Sequence, residues 1–250
     1  MPVTIRGTVP DGVQSEREAA RWVRSMFGRV AHRYDLANHL LSANFDKHWR
    51  AHTVRRLREV LLRADSRVID LACGTGDLLI ALEREAGRSL IGSDFCHPML
   101  QGAQAKLARA ALRSSLLEAD ALSLPLRDAA ADLITIAFGF RNLANYRDGL
   151  TELRRVLKPG GTLAILEFTR PPNKAFAALY DWYSRRVLPL IGGALSGAPE
   201  AYTYLPESVR RFPGAEELAQ MMRESGFAEV EWEYLTFGVV ALHIGRIDAG

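Results

Sequence analysis

The sequence predicts an α/β fold in which a mostly parallel sheet of about seven strands, the last reversed, carries helices on both faces. Three observations predict it. A β-branched apolar run, Val68-Ile69-Asp70-Leu71, enters a glycine turn through Gly74 and Gly76 and leaves into an amphipathic helix, Leu78 to Ala86. From there to Phe168 apolar runs alternate with helical patterns, as parallel strands joined by crossover helices require. Finally, Val230 to Leu235 and Val239 to Ile244 are joined only by a turn at Gly238, a link so short that the two strands must be antiparallel.

In chain order, residues 1–14 read as a loose tail and 15–62 as helices that precede the sheet. Ser15 followed by Glu18 is a capping box, and Trp22, Met26, Val30 and Tyr34 recur behind it at helical spacing. A second helix runs from Asp46 past Trp49, Leu57 and Leu61. Both are free to lie across the carboxyl edge of the sheet as a substrate lid. Residues 63–250 form the core. After the first strand come Leu90 to Asp94, Ser115 to Ala119 and Asp132 to Phe138, then a helix from about Arg147 to Leu157. Lys158-Pro159-Gly160-Gly161 stops that helix before the strand Leu163 to Phe168. Residues 169–213, rich in Pro, Gly and aromatics, break the alternation as an insertion beside the site. A helix from Ala215 to Ser225 leads into the closing strand pair.

The turn after the first strand carries the chemistry. A dinucleotide site wants Gly-x-Gly-x-x-Gly with a pyrophosphate on the helix N-terminus. Here Leu79 stands at the third glycine, and Asp77 opens the helix, where it would repel a pyrophosphate. Asp70 adds a second negative charge. The turn therefore suits a ligand with a cationic centre, such as the sulfonium and ammonium of S-adenosylmethionine. Gly74 and Gly76 can take positive φ and let backbone atoms approach that ligand. Asp94, ending the second run, is placed to accept both ribose hydroxyls, and Asp120 with Ala121, ending the third, to flank the adenine. Singly, each acid reads as a turn former or helix cap. Their order at successive strand ends, where open α/β sheets bind ligands, favours a site.

Composition sets limits. The chain has 250 residues, 48% of them hydrophobic, enough for one α/β domain with excursions. The net charge is +3, with arginine pairs scattered among acids, which reads as solvated surface; no nucleic-acid partner is expected. The two cysteines, Cys73 and Cys96, form no disulfide framework and fit a reducing cytoplasm. No export signal is read. Val187 to Ala198 is too short and too broken to span a bilayer, yet could touch its surface or cover a greasy ligand. No metal is expected, and a homodimer is compatible with the sequence.

The second half supplies a resemblance. Phe138-Gly139-Phe140-Arg141-Asn142 is similar to a Phe-Gly-Leu-Arg-Asn block, and Arg155 to Gly161 followed by Leu166-Glu167-Phe168-Thr169 is similar to a signature that usually ends in Ser. With Tyr180-Asp181, Tyr183-Ser184, Tyr202 through Leu205, Glu207-Ser208, Arg211-Phe212-Pro213 and Val239 to His243, the chain from about Met26 to Arg246 resembles the class I methyltransferases that methylate a ring carbon in quinone biosynthesis, the demethylmenaquinone and polyprenyl-benzoquinol methyltransferase family. An N-terminal signature with Tyr34-Asp35, Asn38, Ser42 and Trp49 departs at Ala37, usually Met, and at Asp46, usually His. Some relatives carry Ser where Ala137 stands.

The resemblance implies a Rossmann-like class I methyltransferase fold, with S-adenosylmethionine as co-substrate on Thr75, Asp94, Asp120 and Ala121. It also implies a polyprenylated quinol substrate, either demethylmenaquinol or a ubiquinone precursor. The transfer is an in-line displacement, which rewards orientation. A ring carbon becomes nucleophilic when a neighbouring hydroxyl, of pKa near ~10, is deprotonated, so something must hold a phenolate. Arg141 supplies fixed charge for it and Asn142 orients an oxygen, with Tyr34 as a third candidate. The resemblance favours this role for Arg141 over a salt bridge at the sheet edge, whereas Tyr34 suits a core position equally well. The proton acceptor is left open between Asp35, Glu167 and water. His243 is expected to be structural. Phe176, Leu179, Tyr180, Trp182, Tyr183, Val187, Leu188 and Leu190 either wall a channel for the lipid tail or pack on the core. A peripheral place on the inner face of the membrane is compatible with such a substrate. The rivals are an RNA methyltransferase, which the strand-four tip and the cysteine positions disfavour; a non-catalytic binding protein, which Arg141-Asn142 argues against; and an NAD-dependent reductase, which Leu79 and Asp77 disfavour.

Overall fold

The computed structural model describes residues 7, 8, 10, 12–31, 42, 44–186 and 199–249. Its seven strands are β1 Val68–Leu71, β2 Ile91–Asp94, β3 Ser115–Glu118, β4 Ala131–Ala137, β5 Leu157–Phe168, β6 Glu229–Leu235 and β7 Val240–Arg246. They lie in the order β3-β2-β1-β4-β5-β7-β6. β1 to β5 pair in parallel, and β7 runs antiparallel to both its neighbours. The chain steps outward from β1 to β3 and returns to β4. The order therefore reverses between β1 and β4, and the crevice at their carboxyl ends is the expected ligand site.

Nine helices surround the sheet among the described residues: α1 Glu16–Val30, α2 Phe45–Arg56, α3 Arg58–Leu62, α4 Asp77–Ala86, α5 His97–Arg109, α6 Tyr146–Val156, α7 Lys174–Arg186, α8 Pro199–Arg211 and α9 Ala215–Glu224. The period-2 alternation of the strands divides the core. Ile69, Leu71, Ile134 and Ile136 meet Leu150, Leu153, Leu218 and Met222 on one face. Val68, Leu133, Ala164 and Leu166 meet Leu57, Leu61, Leu78 and Leu82 on the other. Both faces of the parallel strands are thus covered, as helical crossovers demand.

Four local features differ from the sequence reading. The second N-terminal helix is interrupted at Leu57, whose N–H is shared between the carbonyls of Thr53 and Val54 at 3.1 and 3.2 Å. Leu57 and Leu61 are both buried beyond the break. Lys158 to Gly161 does not precede β5 but bulges from it: the register jumps from Ala131 opposite Leu157 to Leu133 opposite Thr162, with Gly160 at φ 72°. The insertion holds two helices, α7 and α8, and residues 187–198 between them lie outside the described residues. In the segment expected to be a loose tail, Thr8 is buried; its N–H donates to Leu143 at 2.9 Å and its hydroxyl meets the Tyr204 hydroxyl at 2.7 Å.

The capping of α1 follows the sequence in modified form. Ser15 Oγ accepts from the Glu18 N–H at 3.3 Å, while the Glu18 carboxylate takes the N–H of Gln14 at 3.0 Å. Buried Ala19, Val23, Met26 and Val30 share one face of the helix. That face packs beside Phe95, Cys96 and Met99, so α1 covers the ends of β2 and β3. Its Arg24 pairs with Glu118 at the tip of β3.

Candidate active site

At the end of β1 the backbone turns sharply. Ala72 sits at φ 49°, Gly74 at 55° and Gly76 at 87°, a cluster of left-handed conformations of the kind that concentrate at ligand sites. Leu79, at the place of a dinucleotide fold's third glycine, is accommodated from the other side. A Cβ on Gly92 of β2 would fall 2.5 Å from the Leu79 side chain, so the close packing of helix and sheet is supplied by a glycine on the neighbouring strand.

Asp94 fastens this turn to β2. One carboxylate oxygen accepts from the Gly74 N–H and the other from the Cys96 N–H, each at 2.9 Å. Two lone-pair positions remain on the carboxylate for further donors. Burial pushes Asp94 up to about 6 in spite of those N–H groups. Asp70 is buried too. Its Oδ1 accepts from the Thr135 hydroxyl at 2.6 Å, and its Oδ2 has no hydrogen-bond partner. Desolvation pushes its pKa up to about 7. An orphaned, buried carboxylate oxygen at the mouth of a glycine turn fits a cationic ligand group.

A consequence is measurable. The folded-state value for Asp70 lies above the ordinary 3.8, so this group's contribution to stability is full below that value and is lost as pH rises through about 7. A cation bound beside it favours the carboxylate. S-adenosylmethionine binding is therefore expected to release protons near pH 7 and to weaken as pH falls below it, which calorimetry in buffers of different ionisation heat reads directly. Asp70→Asn is expected to raise the melting temperature of the ligand-free protein at pH 8 while lowering cofactor affinity. Binding without proton release would remove Asp70 from the cation site.

Asp77 needs correction. Its charge does not stand free to repel a pyrophosphate: Asp77 is ion-paired with Lys106 of α5 and faces Arg50 of α2 at 3.7 Å. Lys106 also donates to the Thr75 hydroxyl at 3.1 Å. Arg50 in turn pairs with Asp46, whose Oδ1 accepts from Ser42 at 2.7 Å. Two helices, α2 and α5, thereby neutralise Asp77, and the negative charge at the glycine turn rests on Asp70 and Asp94. Asp120 is exposed and accepts the Leu122 N–H at 2.9 Å, so it forms its own turn beside half-buried Ala121.

A cavity of about 520 Å³ opens from this turn. Asp70, Gly74 and Thr75 line one end; Trp49, Phe138, Phe168 and Arg141 the middle; and Ala178, Tyr180, Leu205 and Val209 of the insertion the far end. Phe138 and Phe168 meet at 4.8 Å between ring centres, with Trp49 about 6 Å from each (5.9 and 6.1 Å). Phe138 holds φ 58°, a strained value for an aromatic residue. Guanidinium groups flank this box: Arg50 lies 5.8 Å from the Phe138 ring centre and Arg141 5.4 Å from that of Phe168. Gly76, Asp94, Asp120 and Ala121 are not among the lining residues, and Asp94 reaches the site through Gly74.

Both readings of Arg141 meet in one geometry. It lines the cavity and is buried, and it donates to Glu167 at 2.8 Å and to the Phe138 carbonyl at 2.6 Å. The Glu167 carboxylate also accepts the Arg141 N–H at 3.1 Å and the Phe168 N–H at 2.8 Å, and it does not line the cavity, which argues against it as proton acceptor. Asn142 is turned toward α8, where its amide oxygen accepts from Tyr204 at 3.0 Å. Tyr34 and Asp35 lie outside the described residues. His243 is buried, within 2.7 Å of the Ala215 carbonyl, with its pKa lowered to about 4 by desolvation, as a structural histidine should be. Of the proposed tail channel, Tyr180 lines the cavity and Phe176 packs on Phe237 at 5.6 Å. Leu179 and Trp182 instead face outward and wall nothing; Val187, Leu188 and Leu190 lie outside the described residues.

Comparison with known proteins places this geometry. Among solved structures, a SAM-dependent methyltransferase from Thermotoga maritima, described as a possible histamine N-methyltransferase, superposes with a TM-score of 0.64 over 89% of this chain and 98% of its own at 20% identity, which shows a shared fold. The sheet and the glycine turn therefore have the fold of that class I methyltransferase. Residues 13–247 match the ubiE/COQ5 methyltransferase family, and the chain belongs to it. A demethylmenaquinone methyltransferase from Thermus thermophilus is 51% identical over 88% of this chain and 99% of its own length. A ubiquinone/menaquinone biosynthesis C-methyltransferase from Syntrophotalea carbinolica is 45% identical over 89% and 92%.

Proposed function

We propose that this chain transfers the methyl group of S-adenosylmethionine to a ring carbon of a polyprenylated quinol, with demethylmenaquinol as the substrate. The observation that carries the reading is what one cavity brings together: Asp70 and the glycine turn, an aromatic box with the Arg141 guanidinium, and side chains of the insertion helices such as Tyr180, Leu205 and Val209. The 51% identical relative is named for the menaquinone reaction, which favours the naphthoquinol over the benzoquinol.

S-adenosylmethionine supplies an electrophilic methyl carbon when bound. Asp70 holds its cationic end, Asp94 its ribose, and Asp120 with Ala121 the adenine side. Trp49, Phe138 and Phe168 exclude water and hold the flat ring. Arg141 stabilises negative charge on a ring oxygen, and the pairing with Glu167 fixes its guanidinium in place. Tyr34 completes the contacts to the quinol oxygens, while Asn142, bonded to Tyr204, holds α8 beside the cavity. A carbon–carbon bond forms as the carbon–sulfur bond breaks, and the ring carbon then loses its proton to a basic group or water.

Quinone mass profiling tests this reading. A strain lacking the gene is expected to accumulate a quinone one methyl lighter, and the chain supplied in trans to restore the normal species. A naphthoquinone carrying the deficit supports the menaquinone assignment, a benzoquinone carrying it transfers the assignment, and an unchanged profile retires the quinol altogether.

A further inference from the structure

Six large hydrophobic side chains are exposed among the described residues: Phe45, Leu62, Leu179, Trp182, Tyr234 and Phe237. Four of them stand on segments that line the cavity, α2, α7 and the turn between β6 and β7. Phe45 both lines it and is 51% exposed, so it stands at the opening. Phe237 is 81% exposed; it follows Thr236, a lining residue, and packs on Phe176 of α7. Leu179 and Trp182, 60% and 59% exposed, lie one turn apart on the outer face of that helix, while its Ala178, Tyr180 and Asp181 line the cavity. Scattered exposed hydrophobics are ordinary, but a cluster around one opening marks an interaction surface.

Phe237 sharpens the point. Its backbone is left-handed, at φ 55°, where Gly or Asn is the usual occupant and a bulky aromatic is an outlier. The left-handed backbone serves the tight turn between β6 and β7, but that turn does not call for an exposed aromatic side chain.

The charges of the rim select the occupant. α7 carries exposed Lys174 and Arg186 near its two ends, and its one acid, Asp181, lines the cavity. α2 carries exposed Lys47 and His48 beside Phe45, and its one acid, Asp46, is buried and paired with Arg50. An apolar patch of Phe, Leu and Trp edged by basic residues matches the interface of an anionic bilayer, where aromatic side chains seat at headgroup depth and cations meet lipid phosphates. A two-fold contact with a second copy would set these like charges against one another.

We propose that Phe45, Leu179, Trp182 and Phe237 form a membrane-docking surface that holds the cavity mouth on an anionic phospholipid bilayer. The inference rests on the lipid-substrate reading for its purpose: the quinol ring enters the cavity while the polyprenyl tail stays in the bilayer. Lipid binding itself is independent of that reading.

The test uses the full chain with vesicles of phosphatidylethanolamine and phosphatidylglycerol, and with vesicles of phosphatidylcholine alone. Cosedimentation is expected with the first, weakening as salt is raised, and at least about tenfold weaker with the second. The triple variant Leu179→Ser, Trp182→Ser, Phe237→Asn leaves the lining residues in place, and Asn accepts the left-handed backbone. It is expected to keep its melting temperature and its turnover of a short-chain, water-soluble quinol, but to lose vesicle binding and transfer to vesicle-borne long-chain quinol by about tenfold or more. Brominated lipids are expected to quench fluorescence that disappears in Trp182→Phe. Vesicle binding unchanged in the triple variant overturns the proposal. So does a dimer that the triple variant converts to monomer with no effect on vesicle binding, which would assign the patch to a second copy. Vesicle binding that is lost in the variant, with no methylation of any quinol, upholds the surface and defeats the substrate reading.

Discussion

Arg141→Ala is expected to damage this protein twice, and the two effects are separable. The guanidinium is buried against Glu167, which is itself 1% exposed. Deleting one partner of such a pair leaves an uncompensated carboxylate in the interior and typically costs about 3–5 kcal/mol. The variant should therefore melt well below the parent, and low turnover alone would prove nothing about chemistry. Replacing both partners by apolar residues of similar volume is often neutral for stability. Arg141→Met combined with Glu167→Met is accordingly expected to recover most of the melting temperature while methyl transfer stays down by about 10²–10³ or more, the usual loss when a donor to a developing oxyanion is removed. Cofactor affinity in the double variant should stay close to that of the parent, because Asp70 and Asp94 are untouched. Recovery of turnover together with stability would make Arg141 a structural residue only.

This buried pair also marks where sequence stops being legible. The strand, turn and helix from Val68 to Ala86 could be read because the signals are local: a β-branched run, two glycines, and an apolar stripe within one stretch. The places of Asp94 at the end of β2 and Asp120 just beyond β3 are legible too, because acids recur at the ends of successive strand–helix units. What Arg141 touches was not, because Glu167 ends β5, the neighbour of β4 only after the chain has passed through α6. The neutralisation of Asp77 was hidden for the same reason: Lys106 and Arg50 come from two different helices, and no pattern within the glycine turn refers to either. Tyr204 reaches Thr8 and Asn142 at once across most of the chain length, and only the fold brings the three together.

Leu179 and Trp182 illustrate a different limit. Helical spacing identifies a stripe but not which side of it meets the protein, so it places Leu179 and Trp182 with Phe176 and Tyr180 on a channel wall or the core. The structure divides them: Tyr180 enters the cavity, Phe176 packs beneath Phe237, and the other two face out. These two do not wall the cavity and are those that the proposed membrane surface uses.

Asp94→Ala is expected to abolish measurable cofactor binding. Its carboxylate ties the Gly74 N–H of the glycine turn to the Cys96 N–H ahead of α5, and in the proposed complex its remaining lone pairs would take the ribose hydroxyls. A hydrogen bond to a charged group contributes about 1.5–3 kcal/mol, so two lost ribose bonds alone correspond to roughly a 10²–10⁴-fold loss of affinity. The turn adds to this, because both N–H groups lose their acceptor in the variant and Gly74 is freed from its left-handed setting. Asp94→Asn separates the two contributions. Its amide retains one acceptor oxygen for the backbone but offers an NH₂ where the second N–H and a ribose hydroxyl need an acceptor. Affinity should therefore fall short of the parent by about tenfold or more while the melting temperature falls less than in Asp94→Ala. Titration calorimetry with S-adenosylmethionine reads both variants, and S-adenosylhomocysteine serves as the control, since it keeps the ribose and lacks the sulfonium. Asp94→Ala should weaken the two ligands alike, whereas Asp70→Asn should weaken the cationic ligand more. Equal losses for both ligands in both variants would dissolve the division of labour between the two acids, and undiminished affinity in Asp94→Ala would remove the ribose from the tip of β2.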